Sequence, residues 1–228
     1  GAIKNFKYNA KNPHSLSSNF VRACCEDNLG NIWIGTFNGL NRYNKITGLF
    51  QNHTASDTQA DGLTHSSIWC IVKDNQGTLW LGTYFGGVNY FNPEYEIYTR
   101  YSYSSNEKKG LSNPVVGRTI EDKDGNLWIG TEGGGLNYYN RRTREFKWYR
   151  PQEGRNSISH NNVKALYYDA DKEIIWIGTH LGGLNKLDIR SGHFTHYRME
   201  EGNPATLPSD IIRDIIPYKS LLIVATQN

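Results

Sequence analysis

The chain has 228 residues, enough for one large domain or two small ones, with 23 glycines, 15 tyrosines and a single methionine. Scarce helix formers beside abundant strand and turn formers exclude a helical bundle, and an aromatic content of 13% excludes disorder. A formal charge of +3 with intermixed signs offers no basic stripe for nucleic acid, and no apolar run approaches the roughly 20 residues of a membrane span.

In chain order, Gly1-Ala2 resembles a cloning scar, so the lack of a secretory signal carries no information on compartment. The first strand signal is the segment 3–8. Leu16 and Val21 then open a longer unit, which continues through Trp33-Ile-Gly-Thr36 to Phe50 and His53. The same succession recurs. Trp80-Leu-Gly-Thr83, Trp128-Ile-Gly-Thr131 and Trp176-Ile-Gly-Thr179 follow at spacings of 47, 48 and 48 residues, and a degenerate Ile223-Val-Ala-Thr226 comes after another 47. Leu16, Leu63, Leu111, Ile158 and Leu207 keep the same beat, each followed five residues later by Val21, Ile68, Val116, Val163 or Ile212. So do Phe50, Tyr98, Phe146 and Phe194, and Ile3 and Phe6 fit this last marker one period earlier.

One period holds four short strands. In the second copy they are 68–73, 78–83, 88–91 and 96–101, separated by Asp74-Asn-Gln-Gly77, Gly86-Gly87 and Asn92-Pro93. Four strands per ~40–50 residues with one aromatic signature is the pattern of a β-propeller blade. The expected fold is therefore all-β, an incomplete ring of about four and a half antiparallel blades. It divides into an orphan outer strand 3–8, blades at about 16–53, 63–101, 111–149 and 158–197, and a partial blade 207–228. A cut ring exposes an edge and an apolar face, and so predicts self-association.

Several motifs have bland readings. Trp33, Trp80, Trp128 and Trp176 are expected in the core. The glycines two residues later, Gly35, Gly82, Gly130 and Gly178, are expected to leave room for the neighbouring blade, with Ala225 in the last copy. Cys24, Cys25 and Cys70 are odd in number, contain no C-x-x-C and lie in strand segments, where free cysteine acts as a small hydrophobe. The Asp122–Asn126 stretch lacks the Gly and Glu positions of an EF-hand and repeats at Asp27 and Asp74, as a hairpin turn would. No metal and no cofactor is expected. Gly133-Gly-Gly135 precedes no helix, and His65 and His160 occupy matching loop positions in non-adjacent blades.

The phrase D-x-x-G-x-x-W-I/L-G-T-x-x-G-G-L-N-x-Y, preceded by L-S/T-x-x-x-V, resembles the two-component regulator propeller repeat. It is complete from Asp122 to Tyr139. The first copy has one Gly fewer, the second ends in Phe91, and the fourth has an inserted residue before Trp176 and lacks the first Gly and final Tyr. The resemblance implies a seven-bladed ring and a periplasmic sensor region of a Bacteroidetes hybrid two-component system, anchored in the inner membrane. It further implies an oligosaccharide ligand, control of polysaccharide-utilisation genes, and a homodimer. The implied partners within the parent chain are the remaining blades and further sensor domains, beside a histidine kinase and a DNA-binding module absent from this chain. No direct nucleic-acid contact by this segment is expected.

The loops between second and third strands differ where the frame is fixed: Phe37-Asn38, Tyr84-Phe85, Glu132-Gly133 and His180-Leu181. Varied chemistry on a constant scaffold suits a binding face. The expected ligand contacts are Tyr84 and Phe85, stacking on a sugar ring, with Glu132, His180, Arg22 and Arg118 hydrogen-bonding hydroxyl or acidic groups. No catalytic residue is assigned. The enzyme alternative is a sialidase-like or lyase-like carbohydrate-active propeller. The Asp-turn is similar to the sialidase Asp-box with one residue more, and Arg22 and Arg213 fall at matching positions, but no acid/base pair confined to one blade breaks the repeat. A purely structural or protein-interaction propeller is the third reading.

Overall fold

The structure, a computed structural model, describes residues 3–55, 62–94 and 97–227, so Glu96 and the Gly1-Ala2 pair lie outside the described residues. The chain divides into two compact units, Gly1–Ser102 and Tyr103–Asn228. The first unit holds Val21–Glu26 (β1), Ile32–Thr36 (β2), Gly39–Tyr43 (β3) and Phe50–His53 (β4), then Ile68–Lys73 (β5), Leu79–Thr83 (β6), Val88–Asn92 (β7) and Ile97–Tyr101 (β8). Each set of four forms its own antiparallel sheet in sequence order. The second unit repeats this with Val116–Glu121 (β9), Leu127–Thr131 (β10), Leu136–Asn140 (β11) and Glu145–Tyr149 (β12). A further sheet follows in Val163–Asp169 (β13), Ile174–Thr179 (β14), Leu184–Asp188 (β15) and Phe194–Tyr197 (β16), and a two-stranded sheet in Ile212–Tyr218 (β17) and Leu221–Thr226 (β18). A single 3-10 turn, Glu107–Lys109, is the only helical element among the described residues. These are the expected four blades and a partial fifth.

The segment 3–8 departs from expectation. It is not a strand: only Tyr8 forms an isolated parallel bridge, to Leu16, and Ile3 is exposed. Tyr103 makes the equivalent bridge to Leu111, so the segment has the right place in the repeat but no adjacent strand among the described residues to form a ladder with. The Phe6 ring instead packs on Tyr43 and Phe50, at 4.9 and 5.3 Å.

The repeated residues hold the frame together. Trp33, Trp80 and Trp128 are buried. Their indole N–H groups donate to Asp27, Asp74 and Asp122 Oδ2 at 2.7, 2.7 and 3.0 Å. The other oxygen, Oδ1, accepts the backbone N–H groups two and four residues on, as Leu29 and Asn31 do for Asp27. One carboxylate thus closes the hairpin turn and fixes the core tryptophan, which confirms the turn reading of the Asp122 stretch. The fourth copy differs because of its inserted residue. Asp169 pairs with Lys172, Trp176 has no such bond among the described residues and is half-buried, and Glu173 takes the turn's left-handed position at φ 55°.

Burial pushes the Asp27 carboxyl up, but hydrogen bonds from Asn31, the Trp33 indole and the Asn31 and Leu29 amides outweigh it and hold it below the usual range. A lowered folded-state value means stabilisation that is complete above the unfolded pKa of ~3.9 and is lost as pH falls through the folded value. Asp27→Asn is therefore expected to cost about 1–3 kcal/mol at neutral pH, the range for an unsatisfied buried donor. The gap to the parent chain should narrow below about pH 4. Urea melts across that range check it; a gap independent of pH would mean that the charge contributes nothing.

Within each unit the first strands of successive sheets lie side by side. Glycines of the second strands make this possible. An added Cβ at Gly35 would lie 2.7 Å from Ile68 Cγ2, and at Gly130 and Gly178 2.5 Å from Val163 Cγ1 and Ile212 Cγ2. Buried Thr and Asn side chains complete the lattice. Thr36, Thr83, Thr131 and Thr179 donate to the carbonyls of Gly39, Gly87, Gly135 and Gly183 at 2.8–3.0 Å. Asn41, Asn89, Asn137 and Asn185 accept from the amides of Ser17, Thr64, Ser112 and Ser159 at 2.7–3.0 Å.

None of the cysteines forms a disulfide, and only Cys70 is buried. Cys24 is exposed and Cys25 partly so, which corrects the expectation that all three fill the core. The reason is local: β1 alternates exposed and half-buried residues, since no sheet among the described residues precedes it. The two-stranded sheet likewise leaves Ile216, Leu221 and Ile223 exposed.

A candidate ligand-binding face

Each first strand carries a β-bulge at the same place. The register shifts between Val21 and Ala23, Ile68 and Cys70, Val163 and Ala165, and Ile212 and Asp214, and in β9 it skips Gly117. The residues thrown out of the ladder are thus Arg22, Trp69, Gly117, Lys164 and Arg213. A bulge re-aims one side chain without disturbing the rest of the sheet, and bulges recur beside binding sites.

The loop after each second strand is tied down beside its bulge. The amides of Phe37, Tyr84, Glu132, His180 and Gln227 donate to the carbonyls of Phe20, Ser67, Val115, Asn162 and Ile211 at 2.9–3.0 Å. The residue two before each of those carbonyls fixes the approaching turn. Ser18, His65, Asn113, His160 and Ser209 each accept the amide two residues on, at 2.8–3.2 Å. His65 and His160 therefore spend Nδ1 on turn geometry, as their loop position suggests. These bonds recur in all five copies while the loop side chains change.

In the first unit the bulge and loop side chains form an aromatic cluster. The Arg22 guanidinium lies 4.0 Å from the Trp69 ring centroid and 5.6 Å from that of Phe37. Trp69 stacks on Tyr84 at 5.7 Å and 23°, and Tyr84 meets Phe85 edge-on at 4.3 Å. Phe85 is 59% exposed and held at φ 88°, a conformation that the third copy gives to Gly133. Arg22, Tyr84 and Phe85, expected as ligand contacts, thus come together, joined by Trp69.

In the second unit the same positions are polar and paired. Lys164 forms an ion pair with Glu132, Arg118 lies 3.9 Å from Asp214, and Arg213 hydrogen-bonds Gln227. His180 faces His160 with ring centroids 6.5 Å apart, and its buried Nδ1 has no partner among the described residues. Burial first, then the neighbouring His180 and Arg198, pushes His160 below the usual histidine range, so it is neutral at pH 7. Of the six expected residues, Arg22, Tyr84 and Phe85 thus share one cluster in the first unit, while Glu132, Arg118 and His180 in the second each meet a different neighbour, Lys164, Asp214 and His160.

Trp69 and Lys164 were not among the expected contacts. Their signal in the sequence is the position one after the Val/Ile anchor, where Arg22 and Arg213 drew notice only as arginines.

Residues 15–38, 62–85, 110–133 and 157–180 each match the model for the two-component regulator propeller. No curated protein matches the chain. Among solved structures, it is similar to the extracellular domain assigned to a hybrid two-component system of B. thetaiotaomicron, with 21% identity and a TM-score of 0.78 over 92% of this chain and 28% of that one. PorZ, a surface component of the type-IX secretion system of Porphyromonas gingivalis, has 19% identity and a TM-score of 0.64, covering 91% of this chain and 31% of its own. Virginiamycin B lyase from Staphylococcus aureus has 12% identity and a TM-score of 0.61, covering 86% and 59%. The chain thus spans less than a third of the first two proteins, and the likenesses establish a propeller fold. No helix among the described residues is long and apolar enough to cross a membrane.

Proposed function

For a chain built from four two-component regulator propeller repeats, we propose the role of an extracytoplasmic sensor that binds an oligosaccharide and carries no catalytic activity of its own. The observation that carries this reading is the fivefold bulge-and-loop frame, whose backbone bonds repeat while its side chains run Phe37, Tyr84, Glu132, His180 and Gln227. Stacked aromatics beside hydrogen-bonding side chains suit a sugar, which has apolar C–H faces and a rim of hydroxyls. The parent protein would be an inner-membrane sensor histidine kinase facing the periplasm, and the remaining blades, further sensor domains and a second copy would be its partners.

Calorimetry against a panel of host and plant oligosaccharides tests the reading. A binding sugar should lose about tenfold in affinity, or ~1.4 kcal/mol, in Tyr84→Ala if it sits on the first unit, or in His180→Ala if it sits on the second. Unchanged affinity in both variants would place the site elsewhere. The likeness to virginiamycin B lyase supports a second reading, a lyase. Cleavage of streptogramin B or of a glycan by the chain would establish that one instead.

A further inference from the structure

Four cations stand at or beside the bulges, and three of them are matched. Lys164 has Glu132, Arg118 has Asp214 and Arg213 has Gln227. Arg22 has no carboxylate or amide partner among the described residues; it is exposed and packs only on aromatic faces. A guanidinium packed against the Trp69 and Phe37 rings keeps its N–H donors for a partner, and the packing limits the directions in which they point. Such a fork, oriented in advance, is suited to a planar oxyanion. The Trp69 indole N–H beside it is also buried, without a partner among the described residues. Tyr84 and the exposed Phe85 supply apolar faces next to this charge.

We propose that this cluster binds a saccharide bearing an acidic group, carboxylate or sulfate, with Arg22 gripping the anion and the Tyr84–Phe85 pair stacking on the ring. The inference rests on the saccharide-sensing reading and narrows it to an anionic ligand held within the first unit. It is carried by the contrast between Arg22 and its matched counterparts, since an exposed cation with neither an ion-pair nor a hydrogen-bond partner among the described residues is complementary to an external anion.

The test is calorimetry of the 228-residue chain with three probes: an oligogalacturonide, the same oligosaccharide with its carboxyl groups reduced to alcohols, and a sulfated galacto-oligosaccharide. At least one acidic probe should bind about tenfold or more tightly than the reduced one, with an affinity that falls as salt rises. Arg22→Gln should abolish that preference, and Arg22→Lys should restore part of it, because charge without the planar fork is a weaker match. Exchange of the exposed Arg155 for Gln should leave it intact. The two acidic probes distinguish a carboxylate from a sulfate ligand. Equal binding of acidic and reduced sugars would overturn the anionic inference while leaving the saccharide reading standing. An acidic preference that survives Arg22→Gln would overturn the assignment to this cluster. Failure of all three probes to bind would count against both.

Discussion

Trp128→Ala is expected to destabilise the protein by about 3–5 kcal/mol, the usual cost of truncating a buried aromatic. Trp128 is 2% exposed and packs with Leu136, Val163, Leu166 and Ile177 in one cluster of the second unit. Its ring meets Tyr138 and Tyr149 at centroid distances of 4.7 and 5.7 Å, and its N–H is held by Asp122. Alanine removes the apolar area, opens a cavity and takes away the donor that Asp122 Oδ2 accepts. Trp176→Ala should cost less, because Trp176 is half-buried and lacks the aspartate bond. Denaturant melts of the two variants check the order. A loss below about 1 kcal/mol at Trp128 is far under the range for a core aromatic and would mean that the ring is not in the core.

The second large effect is a small-to-large change. Gly130→Ala places a methyl 2.5 Å from Val163 Cγ1 and 2.9 Å from its Cβ, both on the first strand of the next sheet. Neither atom is the end of a flexible chain, so the strand itself must yield. Overpacking of this kind costs about 1–3 kcal/mol or more. The cause can be separated from a general intolerance of alanine by a double-mutant cycle. In a Val163→Ala background the nearer atom, Cγ1, is gone and only the Cβ contact remains, so Gly130→Ala should cost less than it does alone. Additive losses would mean that the glycine is needed for something other than the approach of β13.

The division into blades was legible because the repeat is written several times over in one phase. Anchors, core tryptophans and turn residues all keep the same period, so an error in one would have been exposed by the others. The core position of the tryptophans followed from their chemistry, but their aspartate partners did not. The six-residue spacing from Asp27 to Trp33 looks like part of a turn until the turn's curvature brings the carboxylate back to the indole. The segment 3–8 failed for the opposite reason: its residues match the marker, yet a strand is defined by the neighbour it pairs with. Cys24 failed similarly, since burial of β1 depends on a preceding sheet that no local pattern reports.

The candidate site was legible only in part. Tyr84, Phe85, Glu132 and His180 could be read from loop variation on a fixed frame. Trp69 and Lys164 could not, because a bulge changes which way a side chain points without changing the sequence pattern around it. The pairing of Lys164 with Glu132, which joins adjacent sheets of the second unit, likewise depends on the packing of one sheet against the next.

The amide-to-carbonyl bond that anchors each loop residue, from Phe37 to Gln227, is made by main-chain atoms alone. It consequently survives any replacement of the side chain there except by proline, which lacks the N–H. Each copy is a socket whose contents can be exchanged by single mutations at little expense to folding. Under the sensing role proposed above, variants at these positions would recognise new ligands while the frame that holds them persists. Where sockets share no side-chain contacts, the effects of such exchanges should add, and specificity can be revised one blade at a time.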